Sequence, residues 1–301
     1  MMRLNVVATR PDVPVQPLHA LDHLWFQVGG TLCNLECNHC FISCGPTNDS
    51  FGMMDLSQVQ RLLEDSRRLG VKEYYFTGGE PFLNRQLLPI LEATLRYGPA
   101  TVLTNATVLP ARTLEELRRV DQASLYSLEI RVSIDGASPA TNDPIRGEGT
   151  FARAMEGVRG LLRYGFLPII TAMQPETGGE SFDDFCQTLR AAGYKHPRIK
   201  LLPPLRLGRE IVRSRGYTEH ERVTREMMDG YDDSQLLCSH SRIATDRGVY
   251  VCPILIDSPA ARLGDTLEEG LGPFPLEAAA CYSCYLYGAI CSNVSASPGQ
   301  A

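Results

Sequence analysis

Between residues 21 and 202, short apolar runs alternate with segments in which apolar residues recur every three to four positions. The short runs are typical of buried strands, and the periodic segments are typical of amphipathic helices. One helix signal has both ends marked, because Asp55 precedes residues 56–69 as a candidate N-cap and Gly70 follows them. The predicted strands are 23–32, 71–76, 100–103, 127–134, 166–172 and 198–202. The predicted helices are 56–69, 86–97, 114–120, 151–164 and 181–192.

Six strands that alternate with helices predict an α/β fold with a parallel sheet, either open or closed into part of a barrel. Residues 1–20 are rich in proline and lack periodicity, so they predict an irregular N-terminal arm. After Pro203 the alternation stops, and a charged helix is expected near 219–229. A hairpin signal follows at Asp246-Arg247-Gly248. We therefore expect a larger unit over 21–230 and a smaller one over 231–301.

Composition narrows the classes of function. With 301 residues, 44% of them hydrophobic, the chain is long enough for one large core and a small second unit. A net charge of -6 argues against a nucleic-acid or membrane partner. The sequence shows no signal peptide and no run of about 18 apolar residues, so we expect a cytoplasmic protein. In a reducing compartment, its ten cysteines indicate metal ligation or catalysis.

The first cysteine group lies directly after the first predicted strand. Cys33, Cys37 and Cys40 fall within eight residues, at the edge of a parallel sheet where active sites assemble. Thiolates select zinc, copper or iron-sulfur clusters, and a cubane on three cysteines leaves one iron open for a substrate. The alternative is a closed structural zinc site completed by His39 or Cys44.

The spacing CxxxCxxC, followed by the aromatic Phe41, resembles the signature of the radical S-adenosylmethionine (SAM) superfamily. A second motif, Gly78-Gly79-Glu80-Pro81, follows the second predicted strand, where that family carries a loop for the amino group of SAM. Taken alone, this motif is an ordinary strand-ending turn. The resemblance, from roughly residue 21 to 210, implies a partial (β/α)6 TIM-like barrel with a SAM-binding 4Fe-4S cluster. It also implies SAM contacts at Phe41, Gly78, Gly79 and Glu80.

Three more residues lie where similar enzymes contact SAM. Asn105 ends the third predicted strand, Ser133 ends the fourth, and Arg146 lies downstream of the segment Ser133-Ile-Asp135-Gly136. The resemblance implies that the serine and the arginine contact the ribose and the carboxylate of SAM. Turn formation remains an alternative for Asn105, and capping of backbone amides remains one for Asp135.

The second cysteine group resembles the SPASM or twitch extension of radical SAM enzymes, which holds auxiliary 4Fe-4S clusters. Five cysteines are too few for two clusters, so the resemblance implies one auxiliary cluster. The expected ligands are Cys238, Cys252, Cys281 and Cys284, with Cys291 either an alternative fourth ligand or free. A structural zinc on the same four thiols is the alternative.

The segment Leu205-Arg-Leu-Gly-Arg209 also resembles a linker of this branch. Its Arg206 and Arg209 are expected to face substrate or cofactor, or else to form a solvated basic loop.

The resemblance implies an oxidoreductase or maturase that reductively cleaves SAM to a 5'-deoxyadenosyl radical, which abstracts a hydrogen from the substrate. Oxidation or cross-linking of a peptide or protein side chain is the expected outcome, with flavodoxin or ferredoxin as electron donor. Two alternatives are a dehydrogenase of a small metabolite and a non-enzymatic zinc or iron-sulfur protein. No spacing identifies a catalytic proton donor or acceptor.

Overall fold

The computed structural model describes residues 12–173 and 181–288. Its strands are β1 (Val15–Gln16), β2 (His23–Phe26), β3 (Glu73–Phe76), β4 (Ala100–Thr104), β5 (Leu128–Ser133), β6 (Ile169–Met173), β7 (Arg198–Leu202), β8 (Ser241–Thr245), β9 (Gly248–Tyr250), β10 (Arg262–Gly264) and β11 (Phe274–Pro275). Its helices are α1 (Leu56–Leu69), α2 (Leu87–Thr94), α3 (Ala111–Gln122), α4 (Pro139–Arg146), α5 (Thr150–Arg163), α6 (Phe182–Ala191), α7 (Glu210–Ser214) and α8 (Ala280–Tyr287).

The main sheet has nine strands in the order β10-β9-β8-β2-β3-β4-β5-β6-β7. Strands β2 to β7 are parallel neighbours in chain order, with Phe26 opposite Phe76. At least one helix lies between each pair of consecutive strands. The predicted α/β fold with a parallel sheet is therefore confirmed, and the carboxyl ends of these six strands share one edge.

Three strands that follow β7 in the chain extend the same sheet at its opposite edge, next to β2. Strand β8 pairs in parallel with β2, with Ala244 opposite Phe26. Strands β8 and β9 form the predicted hairpin, in which Asp246 and Arg247 connect the paired residues Thr245 and Gly248. Strand β10 pairs with β9. The unit that we expected over 231–301 thus contributes three strands to the main sheet, and its separation near residue 230 stays a prediction.

Two predicted elements differ from the structure by more than a shift of a few residues at their ends. The first strand ends at Phe26 and not at residue 32, because Gly30 N–H bonds the Gln27 carbonyl and turns the chain. The prediction of a charged helix near 219–229 is wrong, since this stretch contains only a single 3-10 turn, Glu226–Met228. The Glu221 carboxylate accepts from Thr218 N–H and pairs with Arg206, so side-chain bonds replace the helical pattern there.

Helix α1 has the bounds and caps that its sequence predicts. The Asp55 side chain accepts from Gln58 N–H, and the Gln58 side chain bonds Asp55 N–H in return. Gly70 ends the helix in the left-handed conformation at a φ of 79°. Such a capping box and glycine stop are local signals, so this element needs little tertiary information.

The two faces of the parallel sheet bury different cores. Leu24 and Phe26 point to the helices, whereas Trp25 points to the inner face, because side chains alternate along a strand. On the inner face, Trp25 and Tyr75 stack with ring centroids 4.4 Å apart. The inner core also contains both cysteine groups, as far as the structure describes them. The fold thus brings the two groups to the same side of the sheet.

The described part of the N-terminal arm is irregular except for β1, where Val15 pairs with Pro275 of β11.

Among the helices of residues 12–173 and 181–288, none combines the length and the apolar character that crossing a bilayer requires.

Candidate functional site

The first three cysteines lie on a segment that we call the cysteine loop, residues 33–45, near the carboxyl end of β2. Its two ends are held together, since Cys33 N–H donates to the Gly45 carbonyl (3.0 Å) and Gly45 N–H donates to the Thr31 carbonyl (3.2 Å). Cys33 and Cys37 are buried, Cys40 is half-buried, and all three are free thiols. The loop therefore presents three reduced thiols within the inner core.

The thiols of the cysteine loop differ in acidity. Burial raises the pKa of Cys33 to about 12, and it also raises the pKa of Cys37. A hydrogen bond from the Cys44 thiol lowers the pKa of Cys40 to about 6, and Cys44 N–H donates to the same sulfur at 3.3 Å. The same thiol bond raises the pKa of Cys44. Cys40 is thus the readiest thiolate, while bound iron favours deprotonation of the other two.

Each of the two residues that could complete the zinc alternative, His39 or Cys44, has another partner. His39 Nε2 lies 2.9 Å from Asp135 Oδ2, and Cys44 donates to Cys40. Within the described ranges, no three His, Cys, Asp or Glu side chains converge closely enough to hold one metal ion. Two buried thiols and one half-buried thiol on one loop, with Cys44 already hydrogen-bonded, fit the donor set of a three-thiolate iron-sulfur cluster.

The two glycines of the Gly78-Gly79-Glu80 motif allow two loops to touch. Gly78 has a φ of 147°, and a Cβ there would lie 2.6 Å from the Gly29 Cα. A Cβ on Gly79 would lie 2.0 Å from the Leu32 carbonyl oxygen and 2.8 Å from Cys33 N. Only glycine fits at these positions, because the motif packs directly on the backbone that leads into the cysteine loop.

Glu80 is fully buried and bonded within the protein. Its Oε1 accepts from Phe82 N–H (3.0 Å) and from the Thr104 hydroxyl (2.8 Å), and its Oε2 accepts from Asn105 N–H (2.8 Å). Burial raises the pKa of Glu80 to about 7, although these hydrogen bonds act in the opposite direction. Glu80 therefore joins its own loop to the end of β4, and its contact with the amino group of SAM stays a prediction.

Asn105 lies against the first cysteine. Its Nδ2 is 3.0 Å from Asn34 Oδ1 and 3.8 Å from Cys33 Sγ, while its Oδ1 accepts from Thr107 N–H. The last bond is the turn that we considered as an alternative, and it leaves the amide group directed at the cysteine loop. Asn105 thus reaches the predicted site.

Phe41 lies on the cysteine loop, and Ser133 is the last residue of β5. Phe41 is half-buried and packs on the inner core, and the Ser133 hydroxyl at the end of β5 lies 3.3 Å from the Thr171 hydroxyl. Both residues belong to the edge that carries the cysteine loop, and their contacts with SAM stay predictions.

Arg146 belongs to a buried ion cluster with Asp135 and His39. Arg146 Nε lies 2.6 Å from Asp135 Oδ2, and only 11% of the Arg146 side chain is exposed. Burial alone would raise the pKa of Asp135, but the charges of Arg146 and His39 hold it well below its usual range. Asp135 Oδ1 accepts from Met173 N–H at 2.7 Å, as the capping alternative predicts. The charge of Arg146 is therefore largely balanced inside the protein, and its contact with SAM stays a prediction.

The end of α4 also contacts the cysteine loop directly. Asn38 N–H donates to the Ile145 carbonyl at 2.8 Å, and the Asn38 side chain donates to the Pro144 carbonyl. Cys37 Sγ lies 3.9 Å from the Arg146 carbonyl. These contacts join residues more than one hundred positions apart, so no local pattern predicted them.

Four of the five C-terminal cysteines line one cavity, which we call the cysteine cavity. Its thiols come from the turn before β8, the residues after β9, and α8. Burial raises the pKa of Cys238 to about 12 and that of Cys281 well above its usual range. The lining residues are Leu236, Leu237, Cys238, Val251, Cys252, Ile254, Leu255, Phe274, Leu276, Ala280, Cys281 and Cys284. Cys291 lies outside the described residues.

A buried arginine lies beside the cysteine cavity, and sequence reasoning did not identify it. The Arg242 guanidinium donates to the carbonyls of Cys238 (2.7 Å), Gly270 (2.6 Å) and Gly272 (2.9 Å). Among the described residues, no carboxylate lies within ion-pair distance of it. Burial lowers the pKa of Arg242 to about 10, and the nearby Cys238 and Cys252 act in the opposite direction. The Arg242 guanidinium therefore lies beside the cavity, bonded to the Cys238 carbonyl, and the described part of the chain provides no acidic side chain to pair with it.

The linker arginines are not a solvated basic loop. Arg206 pairs with Glu221, and its guanidinium lies 4.4 Å from the centre of the Tyr217 ring. Arg209 Nε donates to the Cys37 carbonyl at 2.8 Å. Arg209 thus reaches the cysteine loop, whereas the described contacts of Arg206 join it to residues 216–221.

Sequence comparison relates the chain to known enzymes. The family model for the radical SAM superfamily matches residues 28–192, more than half of the chain. Mycofactocin maturase MftC of Mycobacterium ulcerans (strain Agy99) is 28% identical over 135 residues, which cover 44% of this chain and 35% of that protein. GTP 3',8-cyclase of Petrotoga mobilis is 28% identical over 142 residues, covering 46% and 42%. The matches thus span less than half the length of either relative.

Solved structures share the fold. SuiB of Streptococcus suis bound to SAM aligns with a TM-score of 0.61 at 16% identity, covering 81% of this chain and 63% of SuiB. SuiB has also been solved with the precursor peptide SuiA. Native anSMEcpe with bound AdoMet aligns with a TM-score of 0.61 at 15% identity, covering 82% and 79%. The partial barrel is thereby confirmed.

The family match begins at residue 28 and so includes the cysteine loop, the Gly78-Gly79-Glu80 motif and the strands that carry them. Three free thiols lie at the carboxyl edge of a parallel sheet, and the fold is that of solved proteins bound to SAM. The chain therefore belongs to the radical SAM superfamily, whose enzymes use a 4Fe-4S cluster and SAM.

Proposed function

We propose that this enzyme is an oxidoreductase or maturase that oxidises or cross-links a side chain of a peptide or protein. Its cluster and SAM, when bound, supply a 5'-deoxyadenosyl radical by reductive cleavage of the sulfonium, for abstraction of a substrate hydrogen. The peptide substrate is supported by the maturase MftC among the similar proteins and by the peptide complex of SuiB.

In this proposal Cys33, Cys37 and Cys40 hold the SAM-binding cluster. Asn105 lies 3.8 Å from Cys33 Sγ and orients a polar group toward it. Phe41 and the buried inner core exclude water, which strengthens the polar contacts inside the site. The other proposed SAM-contacting residues are Gly78, Gly79, Glu80, Ser133 and Arg146.

We further propose that the region 231–301 is a twitch-like unit with one auxiliary 4Fe-4S cluster. The observation that carries this step is the cysteine cavity, where four cysteines from three segments line one apolar space: Cys238, Cys252, Cys281 and Cys284. A cluster held by four thiolates is anionic, and the guanidinium of Arg242 would balance its charge. Cys291 is the proposed alternative fourth ligand.

The auxiliary cluster would accept an electron from the substrate radical, which makes the net reaction an oxidation, or would position the substrate. Flavodoxin or ferredoxin is the proposed electron donor to the first cluster. We propose a cytoplasmic location, because nine free thiols among the described residues suit a reducing compartment. The net charge of -6 supports a function without nucleic-acid or membrane partners.

A small-metabolite substrate is the second candidate, since GTP 3',8-cyclase is also among the similar proteins. The two candidates differ in the product that accompanies 5'-deoxyadenosine. A peptide substrate would yield a peptide that has lost two hydrogens per oxidation or cross-link, whereas a metabolite dehydrogenase would leave every peptide unchanged.

The decisive experiment is anaerobic reconstitution followed by reduction with dithionite in the presence of SAM. We expect a brown protein with about eight irons per chain and formation of 5'-deoxyadenosine. A colourless zinc protein that leaves SAM intact would reject the enzyme. Mass spectrometry of candidate peptides, such as the product of a small neighbouring gene, and of small-molecule extracts then distinguishes the two substrate classes.

A further inference from the structure

The guanidinium of Arg209 binds the cysteine loop at several points, although about 170 residues separate the two in sequence. Nε donates to the Cys37 carbonyl (2.8 Å), Nη1 to the Ser43 carbonyl (3.0 Å) and Nη2 to the Cys44 carbonyl (2.5 Å). The backbone N–H of Arg209 donates to the Cys40 carbonyl (3.1 Å). One planar group thus fixes three carbonyls, and these carbonyls extend over most of the loop.

The residue before Arg209 lies in direct contact with the same loop. Gly208 has a φ of 53°, and a Cβ there would lie 2.5 Å from the Phe41 carbonyl oxygen and 2.7 Å from the Cys40 carbonyl oxygen. Only glycine allows this approach, because any side chain would meet the loop backbone. Gly208 and Arg209 therefore contact the loop as one unit.

The loop itself is strained at a residue that Arg209 binds. Ser43 has a φ of 51°, a left-handed conformation that is costly for a residue other than glycine. Its N–H donates to the Cys40 carbonyl (3.1 Å), and its own carbonyl accepts from Arg209. Such a conformation persists only where surrounding contacts hold it, and Arg209 supplies one of these contacts.

We propose that Arg209 is a positioning residue for the SAM-binding cluster. Its three side-chain hydrogen bonds fix the backbone of the cysteine loop. This backbone in turn positions the thiols of Cys33, Cys37 and Cys40 to hold the cluster with one iron open to SAM. It acts through backbone carbonyls, not through the reacting atoms. The inference rests on membership of the radical SAM superfamily and needs neither the peptide substrate nor the auxiliary cluster.

The test compares Arg209→Gln, Arg209→Lys and wild type as full-length, anaerobically reconstituted protein. Lysine keeps the positive charge but has one flexible ammonium, which cannot reproduce the planar fork. Exposed Arg215 lies in the same segment, so Arg215→Gln is the matched control. Three quantities are measured: the rate of 5'-deoxyadenosine formation with dithionite alone, the rate of iron release to a chelator, and the electron paramagnetic resonance spectrum of the reduced cluster with and without SAM.

We expect both Arg209 variants to form 5'-deoxyadenosine about 10- to 100-fold more slowly and to release iron faster by a similar factor. The spectral change on adding SAM should weaken in both, while Arg215→Gln matches wild type. If Arg209→Lys or both Arg209 variants match wild type, the three hydrogen bonds of the guanidinium are not needed and the proposal is overturned.

A second variant, at Gly208, tests the same contact and leaves the guanidinium of Arg209 unchanged. Gly208→Ala forces the segment away from the loop and should give the same three changes; wild-type behaviour of this variant would likewise contradict the proposal. Circular dichroism of the cluster-free proteins shows whether each variant folds. Wild-type protein that fails to cleave SAM would reject the proposed function, whereas variants equal to an active wild type would reject only the role of Arg209.

Discussion

The two cysteine groups lie on the same side of the sheet but in different surroundings. The cysteine loop supplies its three thiols from eight consecutive residues, and polar groups surround it: Asn105, Arg209 and the ion cluster of His39, Asp135 and Arg146. The cysteine cavity collects four thiols from three segments, and its other lining residues are all apolar. A polar surround suits a site that admits a zwitterionic ligand, whereas an apolar one suits a closed site.

Charge balance separates the two sites further. Arg146 is paired with a buried carboxylate, so the first site contains a neutralised cation. Arg242 is held by carbonyl oxygens, and among the described residues no carboxylate pairs with it. A buried cation without an anion is costly unless a ligand supplies the charge. The unpaired charge of Arg242 therefore supports the proposal that the cysteine cavity holds an anionic group.

The largest expected effect tests the first site as the location of SAM cleavage. Replacing Cys33, Cys37 and Cys40 together with Ala should abolish 5'-deoxyadenosine formation and leave about half of the iron, because the proposed auxiliary cluster has its own ligands. Product analysis by chromatography and an iron assay check both outcomes. SAM cleavage that persists in this variant would contradict the assignment.

The converse variant tests the second site. Replacing Cys281 and Cys284 with Ala should remove the other half of the iron, about four atoms per chain, while some SAM cleavage uncoupled from product formation survives. The same assays apply, with Cys186→Ala as a control because Cys186 is buried away from both groups. An unchanged iron content would rule out the auxiliary cluster.

Asp135→Asn tests the charge balance of the first site. The change leaves Arg146 buried without its carboxylate, so we expect a loss of about 3 to 5 kcal/mol in the free energy of unfolding at pH 7. Chemical denaturation of the cluster-free protein measures it. Asp65→Asn is a matched control, since Asp65 pairs with a surface arginine.

The pH dependence of that loss follows from the depressed pKa of Asp135. Burial opposes this depression, but the charges of Arg146 and His39 outweigh it. Folding therefore gains stability from the ionised carboxylate above the unfolded pKa of about 4, and this gain disappears as pH falls toward the lower folded pKa. The difference between wild type and Asp135→Asn should be full at pH 7 and shrink below about pH 4. A constant difference would contradict this explanation.

The smallest expected effect tests the charge balance of the second site. Arg242→Met leaves the carbonyls of Cys238, Ser241, Gly270 and Gly272 without this donor, which should cost the cluster-free protein about 1 to 3 kcal/mol. The iron-loaded protein should lose more than the cluster-free protein, since methionine also removes the charge that balances the cluster. Chemical denaturation of both forms measures the two losses. Equal losses in both forms would mean that Arg242 serves the fold alone.

Local patterns predicted the parts of the site that lie close together in sequence. The three thiols of the cysteine loop and the capping of α1 by Asp55 and Gly70 depend on short-range geometry, and both are found as expected. The helix expected near 219–229 failed because Glu221 bonds Arg206, a contact that charge patterning cannot reveal. The resemblance implied SAM contacts at Gly78 and Gly79, which stay a prediction, while the close approaches of these glycines to Gly29 and Leu32 appear only in the structure.

The sequence by itself determined the α/β alternation, the three-thiol loop and the resemblance to radical SAM enzymes, because spacing and periodicity are local properties. Only the tertiary structure decided what surrounds each cysteine group. Arg209 and Arg242 reach their partners through contacts between residues far apart in sequence, which form only once the strands have paired. Such contacts depend on the position of side chains distant in sequence, and position in space is a property of the whole fold.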